Sequence, residues 1–372
     1  MKRNYGIDLL RVYSMIGVMT LHILGHGGVL ENTKALSLNN NIAWLLEVLV
    51  YCSVDCFVLI SGYVGIQSKY KYSNLVILWL QTELYSVLIM VFFSILKNNW
   101  NIKECVTAFL PIATSQYWFF TMYFGMMLFV PILSTFIEKT SLKTEVFIVG
   151  SLTVVCTTLS TINGNIFALE SGYSVLWFVV LYMLGGTLHK IQYSYTFNIY
   201  VIKRITFIVV LFTWLSKIIL EILTLNIIGR AKFGTFFIKY SSPTILVIGC
   251  GLLLIFSNIK CNQIKLMKWI TPLIFSAYLI QDNKYVRQYI ISDRFSYLAE
   301  QNVIIMFGGV LLFALLCFMI AILIDSVRYS IFNKLRIKER VKKIEDKIER
   351  KIVHDLAVAF EADNNKVDHI GE

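Results

Sequence analysis

His22 and Arg11 are the residues whose types and spacing best suit chemistry in this chain. Both stand in "IDLLRVYSMIGVMTLHILGHGG", residues 7–28, a run apolar enough to enter hydrocarbon. Ionisable side chains are costly there and mark functional positions by default. Their separation of eleven residues returns a helix to within about 20° of its starting face, about 16 Å further along its axis. Met15 and Val18 lie between them on the same stripe. The face therefore reads as a slot with a guanidinium near the helix start and an imidazole about three turns deeper. An imidazole there offers proton transfer near neutral pH. Asp8, one turn before Arg11, is close enough to neutralise or orient it. The plainer alternative for Arg11 is snorkelling to the headgroups, and His26, in "GHGG", is assigned to the outer interface.

The elements that position these residues must be membrane helices. Of 372 residues, 57% are hydrophobic and only 15% charged, and the mean hydropathy of +0.68 is far above that of a soluble domain. The apolar runs are long and continuous, unlike the alternating pattern of a membrane barrel. Ten stretches are long enough to span: near 7–25, 43–66, 74–96, 115–137, 145–163, 173–190, 202–225, 240–257, 269–291 and 302–327. The fold class is thus all-α: a polytopic transmembrane bundle over residues 1–330, followed by a basic tail over 331–372. In the tail, Ile337, Val341, Ile344, Ile348, Ile352 and Leu356 recur at spacings of three and four among Lys, Arg and Glu, predicting an amphipathic helix that lies on the inner leaflet or pairs as a short coiled coil.

The net charge of +11 reads as positive-inside topology, with no nucleic-acid partner expected. Lys2, Arg3, Lys69, Lys71, Lys139, Lys143, Lys190, Lys203, Arg204, Lys260, Lys265 and Lys268 fall on the side of the tail, and the loop 162–172 opposite has no basic residue. Both termini are therefore assigned to the cytoplasm. The contrast weakens later, where Arg230, Lys232, Lys239, Lys284, Arg287 and Arg294 fall on the outer side. "MKR" is not followed by a convincing cleavage site, so no removable signal is expected. Cys52, Cys56, Cys105, Cys156, Cys250, Cys261 and Cys317 form no CxxC pair and read as core residues. P-loop, Rossmann, HExxH and transporter-repeat signatures are absent, and no metal site is expected.

Other polar groups stand in apolar runs. Asp55 is either a partner that orients His22 or pairs with Arg11, or helix glue. Glu83 is a candidate to face a cavity. Ser61 with Gly62 suits close helix packing. Tyr63, Trp118 and Tyr123 are pocket walls or interfacial aromatics. Lys217 and Glu221, four apart, most simply neutralise each other.

Arginine, ten residues and histidine in helix one, together with "DCFVLISGYVG" (55–65), "YWFFTMYFGMMLFVPIL" (117–133) and "FSAYLIQDN" (275–283), resemble the membrane acyltransferase type 3 family. "LWFVVLYMLGG" (176–186) suits its surface-polysaccharide O-acyltransferase branch. The resemblance spans residues 1–330 and implies a bacterial cell-membrane enzyme moving an acyl group, expected to be acetyl, from acyl-CoA to a hydroxyl of a surface or lipid-linked polysaccharide. The donor is a substrate, and no permanently bound cofactor is implied. On this reading His22 is a base or a nucleophile that carries the acyl group transiently, and Asp55 assists it. Arg11, with Asp8, holds a CoA phosphate. Tyr63, Glu83, Trp118, Tyr123 and Gln281 contact substrate. Gln281 stands where the family commonly has histidine, and an amide cannot serve as a base. The rival reading is a flippase or exporter of polyisoprenyl-linked glycan without acyl transfer. A dimer is compatible with the tail.

Overall fold

The computed structural model describes residues 3–66, 70–260 and 265–368, with side chains described as far as residue 352. Lys2, Lys69, Cys261 and the side chain of Leu356 lie outside the described residues. Among the described residues every regular element is a helix: α1 (Tyr5–Leu24), α2 (Val29–Asn32), α3 (Leu38–Tyr51), α4 (Ser53–Gly65), α5 (Tyr72–Lys97), α6 (Ile102–Phe109), α7 (Trp118–Lys139), α8 (Leu142–Ile162), α9 (Val175–Ser194), α10 (Ile199–Ile228), α11 (Pro243–Ser257), α12 (Lys265–Ile270), α13 (Ile274–Gln281), α14 (Lys284–Val286), α15 (Val303–Lys334) and α16 (Ile337–Asp368).

Eight described spans are long and apolar enough to cross a membrane, α3 and α4 forming one of them as a 28-residue run interrupted at Cys52. The two remaining expected spans differ from simple long helices. α11 is a 15-residue apolar helix started by Ser242, whose hydroxyl accepts from the Ile245 amide, and by Pro243 in the first turn. The stretch expected at 269–291 is broken four times. Pro272 opens a 3₁₀ turn, α13 stops at Asp282, and Asn283 caps α14 by accepting from the Tyr285 amide. A π turn over Arg287–Ile291 follows. The polar run "QDNKYVR" supplies its own caps and ends the helix inside the bundle.

α1 lies among α3, α4, α11, α13 and α15. Its N-terminus is capped by Asn4, whose side chain accepts from the Gly6 and Ile7 amides. At its far end the backbone amides of Asp293 and Phe295 donate to the carbonyls of His26 and Gly27 at 3.0 Å each, tying α1 to the segment before α15. Gly28 makes this turn at φ 85°, where a side chain would be strained.

α4 and α9 pack through glycine. A Cβ on Gly62 would lie 1.9 Å from the Tyr182 carbonyl oxygen, and one on Gly185 2.1 Å from that of Leu59, so only glycine permits this approach. The expected close contact at Gly62 is present. Ser61 instead donates to the Phe57 carbonyl and meets the Tyr123 hydroxyl. The six described cysteines are free thiols, three of them fully buried.

The boundary expected at residue 330 falls within α15, and the tail helix begins at Ile337. It packs against α5. Its apolar stripe is divided: Ile337 and Val341 are half-buried, while Ile344, Ile348 and Ile352 remain exposed.

Candidate active site

A cavity of about 590 Å³ runs beside α1. Arg11, Met15, Val18 and His22 all line it, so the stripe of α1 that the spacing singles out is one wall of a real chamber. The wall is apolar in its middle and polar at its two ends.

At the first end, Arg11 Nη1 donates to Asp8 Oδ1 at 2.8 Å, and Arg3 Nε to Asp8 Oδ2 at 2.5 Å. Asp8 is buried and carries one cation on each oxygen, which leaves the pair with excess positive charge. Arg11 is held by Asp8 yet keeps 29% of its side chain accessible, an arrangement suited to gripping an anion. The Ser61 and Tyr123 hydroxyls, 3.1 Å apart, and Thr271 complete this end.

At the second end, His22 Nδ1 is buried without a hydrogen-bond partner. Its ring lies 5.3 Å from that of His26, and Gln281 lies against it. Both amide atoms of Gln281 are buried without partners among the described residues. Arg287 Nη1 reaches Asp282 Oδ1 at 3.5 Å, and both residues line the cavity together with His26. An imidazole, the amide beside it and a guanidinium thus converge where the broken helix α13–α14 meets the end of α1.

One group of lining residues, an aromatic arm, consists of Glu47 and Tyr51 from α3, Trp118 from α7, and Tyr173 and Tyr240 from the segments preceding α9 and α11, the four rings in mutual contact. The α3–α4 interruption at Cys52 lets one span contribute Glu47 and Tyr51 on one side and Val54, Phe57 and Ser61 on the other.

Arg11, His22, Trp118 and Tyr123 line the chamber, with Asp8 behind Arg11 and Gln281 beside His22 but off the lining. The structure separates three others from them. Asp55 is fully buried and its Oδ1 accepts from Trp177 Nε1 at 3.2 Å; it joins α4 to α9 and is no partner of His22 or Arg11. Tyr63 donates to Gln192 Oε1 at 2.8 Å and meets His189 edge-on, away from the chamber lining. Glu83 is half-buried on α5 and does not line the cavity.

The lining residues that sequence reasoning passes over are Glu47, Arg287, Asp282, His26 and the tyrosines 51, 173 and 240. Glu47 carries the same signal that marks Asp55 and Glu83, an acid inside an apolar run. Arg287 reads in sequence as an outer loop charge, because only the break after Gln281 folds it inward. The tyrosines come from separate segments and share no pattern.

The helical membrane bundle thus holds an internal chamber with a guanidinium at one end of its α1 wall and an imidazole at the other. The family model described as an acyltransferase domain matches residues 4–324, and the chain belongs to this family, the acyltransferase type 3 membrane proteins. No curated protein and no solved structure matches it. It is a membrane acyltransferase.

Proposed function

We propose that the protein is an O-acetyltransferase that uses cytoplasmic acetyl-CoA to acylate a hydroxyl of a surface or lipid-linked polysaccharide, in a bacterial cell membrane with both termini cytoplasmic. The observation that supports this most is the single chamber with Arg11 and His22 at its two ends, about 16 Å apart along α1. That span suits a donor with a phosphorylated head and a long arm ending in a thioester.

Arg11, backed by Asp8, grips a CoA phosphate while the pantetheine arm follows Met15 and Val18 to His22. His22 takes the proton from the acceptor hydroxyl as its oxygen attacks the thioester carbonyl. The tetrahedral intermediate collapses with cleavage of the C–S bond, and the CoA thiolate takes the proton back from the imidazolium. The Gln281 amide N–H donates to the developing oxyanion. It cannot replace a second histidine as a base, so proton transfer rests on His22. The tail lies on the anionic inner leaflet through Ile344, Ile348 and Ile352 and the Lys and Arg beside them.

The test is transfer of labelled acetyl from acetyl-CoA to envelope polysaccharide in membranes carrying wild type, His22→Ala or Arg11→Ala at equal protein levels. Label transferred by the wild type and lost in both variants supports the reading. No transfer above empty membranes, with several polysaccharides offered, overturns it in favour of a glycan exporter.

A further inference from the structure

The aromatic arm contains none of the residues that the proposed mechanism gives to the donor, yet it has the makings of a binding site. Glu47 is 8% exposed, lines the cavity, and its Oε2 has no hydrogen-bond partner. A carboxyl buried without a partner costs several kcal/mol in such surroundings unless something else supplies the bond. Glu145 is satisfied by Lys190 and Thr187, and Asp325 by Arg328 and Tyr85. Asp55 Oδ2 and Glu83 Oε2 also lack a partner among the described residues, but of these three open carboxyls Glu47 alone lines the cavity.

Around Glu47 stand four aromatic rings. Tyr51 stacks on Tyr240 with ring centres 4.7 Å apart, Trp118 lies 4.5 Å from Tyr173 and 5.9 Å from Tyr240, and Tyr173 meets Tyr240 edge-on at 5.1 Å. The phenols of Tyr51, Tyr173 and Tyr240 all lie within electrostatic reach of Glu47. The cation-bearing lining residues, Arg11 and Arg287, belong to the two ends of the chamber. This arm therefore offers broad apolar faces, several hydroxyls and one strong acceptor.

That combination is matched by a ring with C–H faces and hydroxyl edges. We infer that Glu47, Tyr51, Trp118, Tyr173 and Tyr240 form the subsite for the acceptor sugar, with Glu47 accepting hydrogen bonds from hydroxyls of the sugar ring packed on the aromatic faces. The inference rests on the acyltransferase reading and gives the two substrates separate walls: donor along α1, acceptor against α3 and the aromatic arm. A chain acylated at intervals would present one ring at a time to this arm, with its reacting hydroxyl directed to His22.

The experiment is labelled acetyl transfer in membranes holding the full chain, with envelope polysaccharide varied at saturating acetyl-CoA and then the reverse. Glu47→Gln keeps the side-chain volume but replaces one carboxyl oxygen with an amide NH₂, and Tyr51→Phe removes one hydroxyl from the cluster. The expected result is a rise of about tenfold in the half-saturating acceptor concentration for Glu47→Gln, the size of one buried hydrogen bond left unmade, and a smaller rise for Tyr51→Phe. The half-saturating acetyl-CoA concentration stays at the wild-type value in both. Acceptor saturation unchanged in Glu47→Gln while the wild type transfers acetyl overturns the subsite alone, as does a rise confined to acetyl-CoA. A wild-type chain that transfers nothing overturns the acyltransferase reading and this inference with it. Should Glu47→Gln fail to accumulate, Tyr51→Phe decides between the same outcomes.

Discussion

Buried polar groups in this bundle follow two regimes. Away from the chamber, in three buried pairs each charge answers another: Lys217 lies 2.8 Å from Glu221, Lys190 2.6 Å from Glu145, and Arg328 2.6 Å from Asp325, with Tyr85 adding a bond to the same carboxylate, while Asp55 Oδ2 and Glu83 Oε2 have no partner among the described residues. Around the chamber His22 Nδ1, Glu47 Oε2 and both Gln281 amide atoms are buried with no protein partner. The first set holds helices together, because a buried charge without its counterpart is expensive. The second set carries bonding capacity that the fold leaves open, His22 and Glu47 on the chamber wall and Gln281 beside His22. Arg11 stands between the regimes, anchored by Asp8 at one nitrogen yet open to the cavity. An unpartnered polar atom together with a place on the chamber wall, and neither alone, separates His22 and Glu47 from the remote Asp55 and Glu83, which also keep an unpartnered oxygen.

The contrast breaks first at His22. Replacing it with Gln retains hydrogen bonding but removes the base, so acetyl transfer should fall by about 10²–10⁴-fold, with protein yield and thermal unfolding of the solubilised chain near wild type. A loss of folding equal to the loss of activity would move His22 into the structural set.

Arg11→Lys sharpens the division within the chamber. A lysine keeps the charge but not the planar fork, and transfer from acetyl-CoA should drop by about 10–100-fold through a raised half-saturating donor concentration. S-acetylpantetheine, which has the thioester and arm but no phosphate, should be used equally well by wild type and variant. If the variant is impaired with both donors, the guanidinium acts on something other than phosphate.

Gln281→Leu should cost about 10²-fold in turnover, since one donor to an oxyanion is lost, with both half-saturating concentrations unchanged. Equal turnover in the variant would leave Gln281 as packing beside His22.

Much of this arrangement is legible in the sequence, for identifiable reasons. The helical bundle follows from apolar runs whose length matches a bilayer. The Arg11–His22 wall follows from the helical period, which needs no knowledge of neighbours. Lys217–Glu221 is legible on the same ground. Asp55 is not: an acid in an apolar run announces that it needs a partner, and whether that partner is His22 or Trp177 depends on how α4 rotates against α9, which Gly62 and Gly185 decide. Arg287 and Asp282 are hidden by the break after Gln281, because a continuous helix would carry them toward the outer face. The tyrosine cluster assembles from three distant segments, so nothing local signals it.

The smallest effect on activity belongs to the structural set. Asp325→Asn removes the charge that meets Arg328 at two oxygens and leaves a guanidinium that is 9% exposed without its anion. Loss of one partner in a buried pair costs about 3 kcal/mol, so the solubilised variant should unfold several degrees lower than wild type. Neither Asp325 nor Arg328 lines the chamber, so transfer per folded molecule should stay within about twofold of wild type at a temperature where both are folded. A selective change in donor or acceptor saturation in this variant would show that α15 couples to the chamber through Tyr85 and α5, and pairing would then no longer suffice to mark a charge as structural.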